Sequence, residues 1–360
     1  MHFGEPLEEE RLIALLRPDE DIYIVITADV YGAGEADTLL GRALDGVPRE
    51  QVCVIGAVGH DFYEGERAGA KGYPRFTDAA LRGPERYGEY LRMATERSLE
   101  RCGIDSFDLL LLHNPDRVGY TSEVVWEGMA ALRAAGLTRL LGVAPGPANG
   151  FTLDVIDCFE RFGELIDWAM LILNPLEPWP GELALGAAAA ANVRVIARVV
   201  DYGGVFHDDV TSEAGFRAGD HRSFRPAGWV ADARGKLEAM RPFALRNDLT
   251  MLQLACAWDL ANEPVACVAP TLIQEAGPLA RAVEDKRAEL AAMRHIGALP
   301  AQDVAAIRAI GDNTGCMTLK GAAPDHDGDD LPDRWSLRDE HLAAAARWRI
   351  DPQRDLSAAH

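Results

Sequence analysis

The feature that most constrains the fold of this chain is a regular alternation of short apolar runs with segments of helical periodicity. Seven runs are almost continuously hydrophobic, as is typical of parallel strands that are buried on both faces. They are Ile22–Ala28, Val52–Val58, Leu109–His113, Leu137–Val143, Trp168–Leu173, Val193–Val200 and Val265–Ala269. Helices are predicted at Leu7–Leu16, Ala36–Leu44, Pro84–Cys102, Phe151–Phe162, Ala184–Ala191, Ala231–Ala244, Thr250–Leu260 and Pro278–Met293. This alternation predicts an α/β protein with a parallel sheet and right-handed crossovers.

The number of strands favours an eight-stranded (β/α)8 TIM barrel in which one strand is weak or missing. The missing strand should precede Ile22, where only His2–Pro6 is available. An open doubly wound sheet is the alternative, but the first strand is not followed by the G-x-G-x-x-G motif of that fold. We therefore expect the barrel to occupy residues 1–297 and a C-terminal helical extension, packed on the barrel, to occupy residues 298–360.

Charge and composition exclude several classes of function. The formal net charge is −21, which opposes binding to nucleic acid or to an anionic membrane. There is no apolar stretch long enough to span a bilayer and no basic, apolar leader at the N-terminus. The six cysteines are scattered without metal-like spacing, as expected for reduced thiols in a cytoplasmic protein. The Asp spacing in the acidic loop 325–330 does not fit the EF-hand pattern, so a solvated turn is expected there.

An ordered series of motifs resembles the aldo/keto reductase family. The series begins with Thr-Ala-Asp-Val-Tyr-Gly at residues 27–32 and continues with Asp-Leu-Leu-Leu-Leu-His-Asn-Pro-Asp at residues 108–116. Later members are Asn-Pro-Leu-Glu at residues 174–177, Gly-Asp-His-Arg at 219–222 and Gln-Leu-Ala-Cys-Ala-Trp at 253–258. The likeness covers roughly residues 3–315 and implies the same barrel as the strand count.

The resemblance also implies catalytic positions. The family reduces carbonyls with a nicotinamide cofactor, using a Tyr that donates a proton, a Lys and an Asp that tune this Tyr, and a His that orients the carbonyl. The Tyr falls on Tyr31 and the His on His113, whereas Ile26 stands at the Asp position and Ala57 at the Lys position. Without a neighbouring ammonium, Tyr31 is expected to stay a neutral hydrogen-bond donor, since free tyrosine titrates near ~10. Of the few lysines, only Lys71 is placed where it could reach the barrel mouth.

The positions that the family uses to bind its cofactor also differ from the family pattern. Ala144-Pro145 replaces a Ser-Asn pair, Met170 and Leu173 replace a Gln and a ring-stacking Tyr, and residues 270–273 offer no cation for a 2′-phosphate. The sequence therefore predicts that no cofactor binds and that no metal is used.

These losses lead to three hypotheses for function. The first is non-redox acid–base chemistry (lyase, isomerase or hydrolase) on a small polar carbonyl- or sugar-like substrate, with Tyr31 and His113 as catalytic residues. Substrate-binding residues would then come from loops at the barrel mouth: His60, Asn149, Trp179 and Asp201. The second is an NADP(H)-dependent reductase with an altered catalytic tetrad, and the third is a pseudoenzyme that binds a protein partner or another copy of the chain.

Each candidate also has a structural interpretation. Tyr31 and His113 could keep only a structural hydrogen bond, and Trp179 could be a packed aromatic residue of the rim rather than a cover for a sugar. A metal-dependent variant of the first hypothesis would use His60, His113 and His207 as ligands.

Overall fold

All seven predicted strands are present in the computed structural model, which describes residues 3–69, 72–146 and 148–358. They are β1 (Ile24–Ile26), β2 (Cys53–Val58), β3 (Phe107–His113), β4 (Thr138–Ala144), β5 (Trp168–Ile172), β6 (Arg194–Arg198) and β7 (Val265–Ala269). They form one seven-stranded sheet in chain order, and β1 to β5 pair in parallel. The arrangement is that of a (β/α)8 barrel, and among the described residues before Ile24 there is no strand to serve as the first of eight.

The helices follow the predicted periodicity with small shifts at their ends. They are α1 (Glu9–Leu16), α2 (Glu35–Leu44), α3 (Tyr87–Cys102), α4 (Arg117–Thr121), α5 (Glu123–Ala134), α6 (Thr152–Phe162), α7 (Leu185–Ala190), α8 (Trp229–Arg246), α9 (Met251–Leu260), α10 (Val283–Ala291), α11 (Ala301–Ile310), α12 (Asp339–Trp348) and α13 (Pro352–Asp355). The sequence analysis names no helix between β3 and β4, where α4 and α5 lie. Helix ends have identifiable causes: α3 stops at Gly103, which adopts φ of 67°, and Thr250 and Gln253 form a capping box at the start of α9.

The chain divides into two compact units. The larger unit comprises residues 16–171, 183–195 and 314–358, without the residues that the structure does not describe. Its interior is built from β2, β3 and β4, most of whose apolar side chains are buried, with α3 packed against α2 and α5. Parallel pairing puts the carboxyl ends of these strands at one edge of the sheet, where barrel enzymes carry their chemistry.

The smaller unit comprises residues 3–15, 172–182 and 196–313. Within it α9 packs on β7 and α8, and the Trp258 indole on α9 donates to the Val304 carbonyl at 3.0 Å. The long loop between β6 and α8, expected from the sequence, is present and contains several short 3₁₀ turns.

The C-terminal extension contains helices α11 to α13, as predicted, and also a small sheet that the sequence analysis does not anticipate. β8 (Gly321–Ala323) and β9 (Arg334–Ser336) pair in parallel and are joined by the acidic loop 325–330. The compact units place residues 301–313 in the smaller unit and residues from 314 onward in the larger one. The boundary at residues 297 and 298 stays a prediction.

Within the described ranges, no helix combines the length and the hydropathy that a transmembrane span requires.

Asp259 on α9 generates a prediction about stability. Its carboxyl is fully buried, neither oxygen has a hydrogen-bond partner among the described residues, and burial raises its pKa well above the ordinary value. The folded protein therefore keeps this proton after the unfolded chain has lost it, so Asp259 lowers the free energy of unfolding as pH rises above about 4. Asp259→Asn should be neutral near pH 4 and increasingly stabilising above it, by up to about 1.4 kcal/mol per pH unit, in urea unfolding at several pH values.

The control for this experiment is Asp248→Asn, which changes an exposed aspartate at a left-handed position that Asn tolerates. Its stability difference from the wild type should not grow with pH. A difference for Asp259→Asn that is constant from pH 4 to pH 8 would contradict a raised pKa.

Candidate active site at the carboxyl ends of the strands

Tyr31 lies five positions after the end of β1, at the start of the 3₁₀ turn Tyr31–Gly34 that leads into α2. Its backbone N–H donates to the Ala28 carbonyl at 2.9 Å, and 53% of the residue is exposed. The backbone of Tyr31 is therefore held by a hydrogen bond, while the residue remains accessible to solvent.

A buried carboxylate, that of Asp37, stabilises the turn Tyr31–Gly34. Asp37 on α2 accepts hydrogen bonds from Thr27 Oγ1 at 2.7 Å and from Ser98 Oγ at 2.8 Å, and it forms an ion pair with Arg101 at 2.9 Å. The Arg101 side chain passes so close to Gly34 that a Cβ there would lie 2.8 Å from Nε, and Gly34 has φ of +98°. The network fastens both ends of the Tyr31 turn to α3.

Asp29, two residues before Tyr31, is the buried titratable group closest to it in sequence. It is completely buried, and its oxygens complete no hydrogen bond within the described structure, although the Val30 N–H lies near enough to offset part of the effect of burial. Burial, followed by the charge of Asp37, raises the pKa of Asp29 well above its ordinary value. The sequence analysis does not single out this residue.

His113 is the last residue of β3 and pairs in register with Ala144 on β4. Its ring is close to two others in edge-to-face geometry: the centroid of Tyr31 is 5.7 Å away, and that of His60 is 5.3 Å away. Three of the residues predicted from the sequence are thus brought together at the ends of β1, β2 and β3.

His60 follows β2, and both of its ring nitrogens have polar neighbours. Nδ1 is 3.0 Å from the Tyr73 carbonyl, and Nε2 is 3.0 Å from the side-chain nitrogen of Asn114. These partners fit a neutral ring that donates from Nδ1 and accepts at Nε2. Burial, followed by the positive charge of Arg75, lowers the pKa of His60 to about 4.

Arg75 and Asn114 are two site residues that sequence reasoning missed. Arg75 lies in the long loop after β2, its guanidinium donates to the Asn114 carbonyl, and one of its terminal nitrogens is 3.4 Å from His60 Nδ1. The only signal for Asn114 was its place directly after His113 in the strand motif, and nothing in the sequence marked Arg75.

Asn149, another predicted residue, is in the loop between β4 and α6. It is buried, its carbonyl accepts from the Lys320 N–H at 3.0 Å, and Gly150 forms a bridge with Lys320. The extension thus pairs with the loop that carries Asn149.

Trp179 and Asp201 belong to the smaller unit. Trp179 is 2% exposed, and its backbone exchanges hydrogen bonds with the Asn313 side chain at 3.0 and 2.8 Å. Asp201 is fully buried, and its two oxygens accept from the backbone N–H groups of Gly204 and Thr271 at 2.8 and 2.7 Å. Both residues therefore have structural contacts of their own.

The cofactor positions inferred from the resemblance were tested against the geometry. Ala144, Met170 and Leu173 are buried apolar residues that offer neither an amide donor nor an aromatic ring. The cations of the loops after β6 and β7 are each already paired with a carboxylate, as is Lys286 on α10. The pairs are Arg217 with Glu5, Arg222 with Asp220 and Glu275, Arg225 with Glu177, Arg281 with Glu289, and Lys286 with Asp209. These side chains do not fit the family's pattern for a nicotinamide amide or a 2′-phosphate as they stand.

Two further hypotheses can be compared with the structure. Within the described parts of the chain, no three His, Cys, Asp or Glu side chains meet in a geometry that could hold a metal, so the set of His60, His113 and His207 gains no support. Lys71, the predicted source of a missing charge, lies outside the described residues.

Trp335 and Trp348, two tryptophans of the C-terminal extension that bear on the pseudoenzyme hypothesis, have partners inside the larger unit. The Trp335 indole donates to Asp154 at 2.7 Å, and that of Trp348 donates to Glu160 at 3.0 Å. Each indole N–H is thus already hydrogen-bonded within the larger unit and is not available to a protein partner.

Comparison with known proteins identifies the relatives of this chain. The model of the aldo/keto reductase family matches residues 22–312. A probable aldo-keto reductase 1 of Glycine max is 28% identical over 144 residues, which are 39% of this chain and 37% of that protein. A 6-dehydroglucose reductase of Novosphingobium aromaticivorans is 28% identical over 216 residues, 51% of this chain and 62% of that protein. The chain therefore spans less than two thirds of the length of these curated relatives.

Solved structures share the fold. A glycerol dehydrogenase from Gluconobacter oxydans superposes with a TM-score of 0.64 at 21% identity, over 86% of each chain. An aldo-keto reductase from Bacillus halodurans in its holo form gives 0.60 at 20% identity, over 86% of this chain and 91% of the other. A Klebsiella pneumoniae aldo/keto reductase, solved with NADP and acetate, gives 0.58 at 19% identity, over 86% and 88%. The predicted (β/α)8 fold is confirmed.

Two predictions made from the sequence are contradicted by these comparisons. Non-redox acid–base chemistry was wrong, because the matching family is one of reductases and nothing found supports a lyase, isomerase or hydrolase. The absence of a cofactor was wrong as well, since neighbours of the same fold are solved with NADP or NADPH. The error has a physical source: backbone N–H groups and loop conformation can hold a dinucleotide, and neither is visible in the identity of a few side chains.

His60 provides a prediction that needs no substrate. Because burial and Arg75 disfavour its charged form, the His60 ring should stay neutral down to about pH 5 and titrate with a midpoint near 4, which is its lowered pKa. The measurement is an NMR titration of histidine-labelled protein, with the His60 signals identified by their loss in His60→Gln. His295→Gln, at an exposed position, serves as the control and should leave the His60 midpoint unchanged. A midpoint at or above the ordinary value of about 6.5 would refute this description of the site.

Proposed function

The chain belongs to the aldo/keto reductase family, and we propose that it is a nicotinamide-dependent oxidoreductase acting on a small polar or sugar-like carbonyl compound. The observation that carries the proposal is the family match across residues 22–312, with Tyr31 and His113 at the motif positions and their rings 5.7 Å apart. The names of two relatives, a 6-dehydroglucose reductase and a glycerol dehydrogenase, support a small polyol or sugar as the substrate class.

Reduction of a carbonyl requires a proton for its oxygen, and this is the part of the reaction that the chain's own side chains can serve. Tyr31 is the proposed donor because its phenol is exposed while its backbone is fixed. His113 is the proposed orienting residue, since it lies at the end of β3 beside Tyr31 and can offer a ring N–H to the same oxygen. A bound nicotinamide would supply the hydride, although Ala144, Met170 and Leu173 do not offer the amide and ring contacts that the family uses to hold it.

The remaining candidates receive different roles in the proposal. His60 is neutral and hydrogen-bonded at both nitrogens, so it acts by packing against His113 rather than by proton transfer. Asp201 braces the loop after β6, and Trp179 is part of the packed interior of its unit. Asn149, in the loop after β4, stays in the proposal as a substrate-binding residue.

The catalytic prediction concerns Tyr31→Phe. Loss of the hydroxyl removes the proton donor, and general acid catalysis typically contributes ~10²- to 10⁴-fold, so kcat should fall by at least ~10²-fold. The measurement is oxidation of NADPH or NADH with 6-dehydroglucose and with glyceraldehyde. The matched control is Tyr23→Phe, an exposed tyrosine just before β1, which should leave kcat unchanged. Wild-type activity in Tyr31→Phe would remove Tyr31 from the reaction.

The cofactor prediction concerns preference. A charged hydrogen bond contributes about 1.5–3 kcal/mol, and the cations of the loops after β6 and β7 are already paired with carboxylates. We therefore expect NADH and NADPH to bind with dissociation constants within ~10-fold of each other, as measured by titration of cofactor fluorescence. A preference for NADPH of ~100-fold or more would show that a cation leaves its carboxylate for the 2′-phosphate. Failure of both cofactors to bind would refute the proposed function.

A further inference from the structure

Residues 313–358 of the C-terminal extension lie beyond the last residue that the family model matches, and they make specific contacts with the loops that carry the site. The family model ends at residue 312. Beyond it, the Phe151 N–H donates to the Lys320 carbonyl at 2.7 Å and the Ala322 N–H donates to Asp154 at 2.9 Å. The extension is therefore fastened to the loop after β4 and to the start of α6.

A second contact reaches the loop after β2. Asp333, just before β9, accepts a hydrogen bond from the Arg75 guanidinium at 2.9 Å, and its carbonyl accepts from the Gly321 N–H at 2.8 Å. The side chain of Arg75 is 10% exposed and that of Asp333 is 31% exposed. An ion pair at this depth is geometrically restrained and less screened than a surface pair.

From Arg75 the contacts continue to His113 by two routes. The Arg75 guanidinium donates to the carbonyl of Asn114, the residue next to His113, and Asn114 in turn donates to His60. The His60 ring packs edge-to-face on the His113 ring at 5.3 Å. Both routes fix the ring that the proposed function places against the substrate carbonyl.

We propose that the extension contributes to the active site. Asp333 holds the Arg75 guanidinium in place, and Arg75 in turn positions His113 through the Asn114 carbonyl and the His60 ring. Arg75 and Asp333 are positioning residues, and the planar fork of the guanidinium explains why one side chain reaches Asp333 and Asn114 at once. Burial, followed by the charge of Arg75, lowers the pKa of His60, so that His60 packs beside His113 without adding a positive charge. This inference rests on the proposed function where it is tested by kinetics, whereas its test by NMR does not require that function.

The kinetic experiment compares four variants of the full chain. Arg75→Gln and Asp333→Asn should each lower kcat about tenfold or more with little change in KM, because a misplaced orienting group acts on the reaction step. Combining the two should be no worse than Arg75→Gln alone, since both disrupt one route. Arg75→Lys keeps the positive charge but lacks the planar guanidinium, so its kcat should lie between that of Arg75→Gln and that of the wild type.

The matched control is Asp330→Asn. Asp330 is also in the extension and pairs with Arg117 and Arg338, so its loss tests whether any weakening of the extension has the same effect. It should leave kcat unchanged. If Asp330→Asn lowers kcat as much as Asp333→Asn, the extension acts only as a general support and the proposed route through Arg75 is overturned.

The spectroscopic experiment needs neither substrate nor cofactor. The charged groups facing the His60 ring are Arg75 from its own loop and Asp333 from the extension, with His113 from β3 beside them. Arg75→Gln should raise the titration midpoint of His60 by at least about half a pH unit because it removes the repelling cation, whereas Arg75→Lys should not. Asp333→Asn should shift the His113 ring signals, and Asp330→Asn should not.

The two readouts separate the failure of this inference from that of the proposed function. An inactive wild-type protein whose His60 and His113 signals respond as described would refute the proposed function and leave the positioning route intact. If these signals are the same in Arg75→Gln, Asp333→Asn and the wild type, the route does not exist. Should Arg75→Gln fail to fold, Asp333→Asn alone decides, because its side chain is more exposed.

Discussion

The arrangement of this site depends on one constraint, the parallel in-register pairing of strands that are buried on both faces. Most side chains of β2, β3 and β4 are apolar and buried, so a shift in register would expose hydrophobic side chains, and the pairing of these strands is thereby fixed. Since the strands run the same way, the first residues beyond them all emerge at one edge. Tyr31, His60 and His113 meet there although 82 positions of sequence separate the first from the last.

A second regularity is the use of arginine in a strongly acidic chain. With 57 acidic residues against 36 basic ones, most cations have a carboxylate within reach. Arg101 holds Asp37 behind the Tyr31 turn, and Arg222 holds Asp220 and Glu275 in the smaller unit. Such pairs fix the conformation of loops, but each also removes a cation that could otherwise bind a phosphate. An acidic composition therefore favours loops that are fixed by ion pairs over cations that are available to bind a phosphate.

Sequence reasoning succeeded where a local pattern carries the structural information. A hydrophobic run specifies a buried strand wherever it lies in the fold, which is why all seven strands were predictable from β1 to β7. The β8–β9 pair was not, because each strand has three residues and no distinctive pattern. Arg75 could not be assigned to the site either: its partner Asp333 is 258 positions away, and no local pattern reports a contact at that distance. The burial of Asp29 and Asp259 was equally hidden, since an aspartate in a sequence signals a surface position by default.

The wrong prediction about the cofactor shows what a missing side chain can and cannot establish. Ala57 at the family's lysine position proves that no ammonium extends from the end of β2, but it does not prove that the site has no positive charge. Arg75, 18 positions further along the chain, brings a guanidinium to the His60 ring at the end of the same strand. In a barrel, the residues at a strand end and those in the loop after it face the same region, so a function lost from one can be supplied by the other. An active site of this kind is therefore better judged by the groups gathered at the strand ends than by the identity of residues at aligned positions.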